Sequence, residues 1–210
     1  MGRSAQHCRQ RREEMRGKIL NASISYFARH GFSGTRMGDL ARSIGIAPGT
    51  IYLYFPSKEA LLREICQSVQ EEMLPALRVL TAPSGPVANQ LLRLSSYVLT
   101  RLCGQVDCAA RVVLTAQMVH GAGSAADGCR TEWEGLCQDT SLLVARGQQE
   151  GSVVPGQPEA LADYYWGAAF LCARRRLFYP QAELIDARTL ARVLLCDRAL
   201  EGLKADGRIY

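Results

Sequence analysis

Residues 45–62 read "GIAPGTIYLYFPSKEALL". A glycine and a Pro-Gly-Thr step lie close together, two tyrosines and a phenylalanine crowd the next turn, and Pro-Ser-Lys-Glu opens an apolar run. Gly45 marks the end of one helix, since glycine takes the left-handed stop conformation at least cost. Pro48 suits the first turn of the next, where its missing N–H is harmless. That helix is barely two turns long. Ser57 then caps a fourth helix, with apolar positions Leu61, Leu62, Ile65 and Val69 and with Glu59 in the first turn, where the helix dipole favours an anion.

Working back toward the N-terminus, residues 11–30 place Ile19, Ala22, Ser23, Tyr26 and Phe27 on one helical stripe, and Gly31 follows as a stop. Thr35 is placed to cap the next helix, whose stripe is Met37, Leu40, Ala41 and Ile44. Two short helices joined at Gly45 make a helix-turn-helix. The first packs through its stripe, a buried Ile46 allows the tight turn, and Ile51 and Phe55, four residues apart, form the apolar back of the second. Pro48, Gly49 and Thr50 form a slim tip able to approach base edges. Tyr52 and Tyr54 project hydroxyls toward phosphates, although Tyr54, like Phe55, could instead serve the core. Lys58 opens the fourth helix, where its charge and the free N–H groups both suit a phosphate.

The charge agrees with that reading. Residues 1–70 hold 11 Lys and Arg against 5 Asp and Glu, while the remaining residues hold 14 against 15. A basic first third on a near-neutral body is the pattern of a nucleic-acid module joined to something else. The chain has 210 residues, 48% hydrophobic and 21% charged, which is ordinary for a globular protein. No window approaches the roughly 18 uninterrupted apolar residues of a membrane span. "MGRSAQHCRQRREEMRGK" lacks the apolar core of a secretory signal, so a cytoplasmic protein is expected. The eight cysteines form no Cys-x-x-Cys pair and stand at no zinc-finger spacing from a histidine, which reads as free thiols in a reducing compartment. No nucleophile elbow, P-loop or metal cluster occurs and only three histidines are present, so no enzyme, metal or cofactor is expected.

Beyond residue 70, Pro75 and "TAPSGP" (81–86) interrupt the pattern, and helices are expected near 87–103, 108–120, 129–150, 158–179 and 184–203. "HGAGSAADG" (120–128) and "EGSVVPGQP" (150–158) read as loops. Strand signals are nearly absent, so the fold class is all-α, with about nine helices. A small helix-turn-helix domain, 1–60, precedes a larger helical body, 61–210, and the fourth helix links them. One face of 129–150 carries Trp133, Leu136, Cys137, Thr140, Leu143 and Val144. Leu161, Tyr165, Ala168 and Cys172 recur along 158–179. With Tyr97, Met118, His120, Trp166 and Phe170, these residues supply either a pocket for a hydrophobic or aromatic effector, or core and interface. Arg174, Arg175 and Arg176 could meet an anionic ligand, pair with acids at a dimer edge, or stay solvated.

Residues 19–62, "ILNASISYFARHGFSGTRMGDLARSIGIAPGTIYLYFPSKEALL", resemble the DNA-binding domain of the tetracycline-repressor (TetR) family. The Tyr-x-Tyr-Phe-x-Ser-Lys-x-x-Leu run, preceded by Gly-Thr and the "GFSGT…DLA" segment, carries the likeness. It implies a homodimeric transcriptional regulator, usually a repressor, whose last two long helices pair with their copies. A small effector in the body would part the two heads and release a pseudo-palindromic operator. Carried over by position, Thr35 contacts phosphate, Gly49 and Thr50 sit at the recognition tip, and Tyr52, Tyr54 and Lys58 clamp the backbone. Arg36, Met37 and Pro48 complete the expected DNA-binding set. The chain departs from the family pattern at Ala47, where a capping Ser is frequent, at Arg36, where a second Thr is frequent, and at Gly38, where a longer side chain often reaches DNA. A second reading is a thiol- or metal-responsive DNA-binding sensor, in which Cys103 and Cys108 approach each other across a turn.

Overall fold

The computed structural model describes residues 2–120 and 127–205, with side chains described from residue 6 to 119 and from 127 to 203. Ten α-helices follow one another there: α1 Gly2–His30, α2 Met37–Ile44, α3 Pro48–Ile51, α4 Lys58–Thr81, α5 Val87–Tyr97, α6 Val106–His120, α7 Asp127–Gln149, α8 Pro158–Phe178, α9 Ala187–Ala191 and α10 Asp197–Ala205. Among the described residues no strand forms. The nearest to one is an isolated antiparallel bridge between Val153 and Leu195. The all-α class with an N-terminal helix-turn-helix and a larger helical body therefore stands.

The stripe on α1 packs as its spacing requires, with Ile19, Ser23, Ile24 and Phe27 buried. α1 starts about nine residues earlier than its apolar pattern suggests. Its first turns carry mostly exposed polar residues that give no periodic signal. Pro75 lies inside α4 rather than breaking it, because buried Met73 and Leu77 on either side hold the helix in place. The turn falls at 82–86 alone. The helix expected over 87–103 leaves α geometry after Tyr97, where Val98–Leu102 form one π-helical turn closed by Cys103 N–H to the Val98 carbonyl at 2.9 Å. A Cβ at Gly104 would stand 2.2 Å from the Thr100 carbonyl oxygen, so this exit requires glycine.

The largest correction concerns 184–203, which is two short helices rather than one long one. Between them Val154 N–H donates to Leu194 O at 2.9 Å and Cys196 N–H to Ser152 O at 3.1 Å. Leu194 and Leu195 are both buried. Pairing with 152–154 sinks two adjacent leucines that a single helical face could not bury together. The last two long helices are therefore α7 and α8. Most of the expected loop 120–128 lies outside the described residues, as does the His120 side chain. The 150–158 segment is a loop as expected.

The three consecutive arginines serve the end of α8. Arg175 Nε donates to Glu183 O at 3.3 Å, and Arg176 donates to Cys103 O at 3.3 Å and to Pro180 O. Arg174 is exposed above the Phe178 ring. Arg175 and Arg176 thus donate to main-chain carbonyls of the loop after α8 and of Cys103, just past the π turn.

Candidate nucleic-acid interface and body cavity

α2 buries Met37, Leu40 and Ala41. Gly45 follows with φ 79°, and Ile46 N–H returns to Ala41 O at 3.0 Å, closing the helix end. α3 begins on Pro48 without a side-chain cap on Ala47. Ile51 and Phe55 are 0% and 1% exposed, so they fix this short helix to the core as its back. Ile46 is only half-buried. Outward point Pro48, Gly49, Tyr52 and Leu53, with Thr50 and Tyr54 half-buried beside them. Leu53 is 71% exposed, the most accessible apolar side chain of the region. Sequence reasoning passed over it, because a leucine between two tyrosines looks like core until the helix is rotated into place.

Three expected contacts are arranged differently. Arg36, not Thr35, is the residue that precedes α2. The Thr35 side chain is buried, and its Oγ1 donates to Gly31 O at 2.7 Å. Met37 is 6% exposed and belongs to the core, so only its main chain faces outward. The Lys58 ammonium donates to Phe32 O at 2.8 Å, Thr35 O at 3.1 Å and Ser33 O at 3.4 Å, and lies 4.4 Å over the Phe32 ring. All three of its protons are thus directed at the loop between α1 and α2. Ser57 caps α4 as expected, its Oγ accepting from Ala60 N–H at 3.1 Å.

α1 braces this surface. Arg16 pairs with Glu64 and stacks 4.9 Å over Phe55, and Arg12 reaches Leu53 O at 3.4 Å. Arg9, Arg11, Arg12 and Arg36 are exposed, while Arg42 is paired with Asp39 at 2.7 Å. The result is a narrow convex tip, apolar and hydroxyl-bearing, edged by guanidinium groups.

The body contains a cavity of about 420 Å³. Met73 and Leu77 of α4, Val98 and Leu102 of the π turn, Val112 and Thr115 of α6, and Trp133, Trp166 and Phe170 form most of its wall. The two indoles meet edge to face, with centroids 5.2 Å apart, and Trp166 Nε1 donates to Thr140 Oγ1 at 3.1 Å. Three of the expected pocket residues, Trp133, Trp166 and Phe170, therefore converge. Tyr97, Met118, Cys137 and Tyr165 do not line the cavity. Tyr165 is fully buried with its hydroxyl 3.1 Å from Ser95 Oγ, and burial pushes its ionisation upward. The contribution of α4 was not apparent from sequence, since Met73 and Leu77 simply continue its core stripe. Gln117, also in the wall, donates from Nε2 to Ala28 O of α1 at 3.1 Å.

A family model described as bacterial regulatory proteins, tetR family, matches residues 19–65. The regulator RutR of Escherichia coli K12, described as an HTH-type transcriptional regulator, is 26% identical over 187 residues, covering 89% of this chain and 85% of its own. Residues 19–65 thus carry the sequence of a TetR-family DNA-binding domain.

UidR of Escherichia coli K12, another HTH-type transcriptional regulator, is 41% identical over 63 residues, 30% of this chain and 32% of that protein. Two solved structures share the fold. KstR2 of Mycobacterium tuberculosis, a ketosteroid transcriptional regulator, superposes with TM-score 0.70 at 17% identity, covering 90% of this chain and 94% of its own. AibR, solved with isovaleryl coenzyme A and operator DNA, gives TM-score 0.64 at 15% identity, covering 84% and 94%. The protein is thus a DNA-binding transcriptional regulator, and its relatives and fold neighbours are regulators rather than enzymes. None of the described helices is long and apolar enough to cross a membrane.

The described cysteines are free thiols. Cys103 is fully buried, its thiol 3.7 Å from Ala169 O, and burial pushes its pKa up to about 12. Burial, with Asp163 and Glu134 nearby, raises Cys137 to about 11. Neither thiol has the depressed pKa that a reactive cysteine needs.

Proposed function

We propose that this regulator is a cytoplasmic homodimeric repressor, released from a pseudo-palindromic operator when a small apolar or aromatic effector occupies the body cavity. The observation that carries this reading is the position of Gln117, which lines the cavity and hydrogen-bonds the helix that braces the DNA-facing tip. An effector that binds the DNA-free arrangement more tightly shifts the equilibrium by the difference in its two affinities. The cavity size, apolar wall and paired indoles suit such a ligand. AibR, a fold neighbour solved with isovaleryl coenzyme A and operator DNA, shows that this fold can hold a small ligand and DNA.

Residues 1–60 act as the head and 61–210 as the body. In the head, Gly49, Thr50 and Leu53 approach base edges, with Leu53 suited to a thymine methyl. Tyr52, Tyr54, Arg36 and the N-terminus of α2 meet phosphates, and Pro48 sets the angle of the tip. Lys58 contributes by holding the loop that presents Thr35 and Arg36. Dimerisation uses α7 and α8. Tyr164, Leu171 and Phe178 are 69%, 60% and 41% exposed and recur every seven residues along α8, and Leu142 of α7 is 61% exposed. A seven-residue apolar seam is what two copies of a helix need to pack at a shallow angle.

Selecting bound sequences from random DNA tests the reading. The expected product is a pseudo-palindrome with half-sites about one helical turn apart, or a multiple of that spacing. Selection of asymmetric single sites would overturn the dimer.

A further inference from the structure

Three buried sulfurs converge from three helices at a place the effector scheme does not use. Cys66 of α4 is 6% exposed, Met118 of α6 5% and Cys129 of α7 3%. The Cys66 thiol points at the Met118 thioether, Sγ to Sδ 3.4 Å, and Cys129 lies on the other side as a neighbour of Cys66. The three therefore form a chain, Cys129 to Cys66 to Met118. Cys129 also lines a small recess with Val69, Gln70 and Glu132, which adjoins the effector cavity through the shared Met73, Leu77, Thr115 and Trp133 and gives an approach to Cys129.

We propose that Cys66, Cys129 and Met118 form a binding site for a soft monovalent metal ion, Cu(I), beside the effector cavity. The donor set decides the metal. Two thiols and a thioether are soft ligands that select Cu(I), whereas magnesium, calcium and manganese want oxygen and structural zinc wants four donors. No group of three His, Cys, Asp or Glu that could hold a metal occurs among the described residues, so a harder or four-coordinate site has no support here. The spacing also suits a shared ion. Metal–thiolate bonds of about 2.3 Å put three sulfurs around one ion about 4 Å apart, so the 3.4 Å contact opens only slightly.

Capture of Cu(I) by the two thiols releases both of their protons to solvent, as metal capture by thiols ordinarily entails, and leaves a dithiolate site with one net negative charge; the metal keeps its oxidation state, so no oxidant is required. The Met118 thioether completes three-fold coordination without a further charge.

The test is an anaerobic titration of the reduced full chain with Cu(I) against a chromophoric competing chelator. One tight equivalent per chain is expected. Removing even an outer-shell partner of a metal typically costs 10–100-fold, so Cys66→Ser and Cys129→Ser should each weaken binding by about 100-fold or more. Met118→Leu, close in volume, should weaken it by about 10-fold. Cys108→Ser should leave it unchanged. Far-ultraviolet circular dichroism confirms that each variant is folded, and Cys66→Ala replaces Cys66→Ser if the buried hydroxyl unfolds the chain. Failure of the wild type to compete with the chelator overturns the site, as does undiminished affinity in the Cys66 and Cys129 variants. Equal affinity for Zn(II) through the same residues overturns its selectivity. A Cys66–Cys129 disulfide formed by hydroperoxide in a chain that does not hold Cu(I) would make the pair a redox element instead.

Discussion

Gln117 and the Ala28 carbonyl are joined by a 3.1 Å hydrogen bond between α6 and α1. One end lies at the cavity wall, and the other belongs to the helix whose Arg12 and Arg16 hold the recognition segment. Gln117→Leu keeps most of the volume and removes the bond. We expect DNA affinity within a few-fold of wild type, stability lower by about 1 kcal/mol, and loss of most of the effector's influence on DNA binding. Allosteric couplings are typically 1–3 kcal/mol, so the effector-induced affinity change should shrink by about 5-fold or more. Fluorescence anisotropy of labelled operator with and without effector reads both quantities.

The Lys58 ammonium holds three main-chain carbonyls of the loop 32–35. Lys58→Met leaves them without that donor and loosens the loop that precedes α2. Hydrogen bonds to charged groups contribute about 1.5–3 kcal/mol, and partial exposure discounts this to about 1–2 kcal/mol. Thermal unfolding should show that loss. Lys58→Arg should not restore stability, because a planar fork cannot aim at three carbonyls as an ammonium does. Full stability with only DNA binding reduced would return Lys58 to a direct phosphate role.

Tyr52 and Leu53 are neighbours with separable roles. Tyr52→Phe should weaken binding to every DNA sequence by a similar factor, since phosphate contacts carry no base information. Leu53→Ala should weaken only sites with thymine at the contacted position, by about 1–3 kcal/mol at most. Binding measured across a panel of operator variants separates the two.

A charge on the exposed α8 seam should separate the subunits. Leu171→Asp is expected to give a monomer in sedimentation velocity, with an unchanged helical spectrum because Leu171 is 60% exposed in the single chain. Operator affinity should fall by more than 10-fold, as the two half-sites are no longer bound together.

Cys103 provides a pH test of core burial. Its folded pKa of about 12 lies above the roughly 8.5 of a free thiol. Between those values the unfolded chain has lost a proton that the folded chain keeps. Stability is therefore fully present below about pH 8.5 and declines as pH rises, by at most about 1.4 kcal/mol per unit from this group. Comparison of wild type with Cys103→Ala by urea unfolding from pH 7 to 10 should show the smaller pH slope in the variant. Alkylation of native Cys103 at pH 8 should be far slower than that of exposed Cys8.

Much of this was legible in the sequence. Ile51 and Phe55 are spaced four apart and are buried, and Gly45, Pro48 and Ser57 punctuate helices where their backbone chemistry demands. The stripes on α1, α2 and α4 are one-sided enough to be read locally. What was not legible depends on partners distant in sequence. Lys58 has the appearance of a solvent-facing cation until the loop 32–35 is folded onto it. The 184–203 segment keeps helical periodicity but yields at Leu194 to the carbonyls and N–H groups of 152–154. The cavity wall draws on α4 and the π turn, where side chains that look like core line a space left open. Cys66 and Cys129 are 63 residues apart, so no local pattern could unite them.

The central claim is that an apolar ligand in the body cavity controls operator binding by the head. The most direct measurement is operator affinity of wild type and Val112→Phe, a change that fills the cavity from α6, with increasing amounts of N-phenylnaphthylamine as a neutral aromatic probe. The probe should lower wild-type affinity, quench the Trp133 and Trp166 emission at matching concentrations, and leave Val112→Phe unmoved in both signals. Quenching with unchanged DNA affinity in wild type, or an undiminished DNA response in Val112→Phe, would contradict the account.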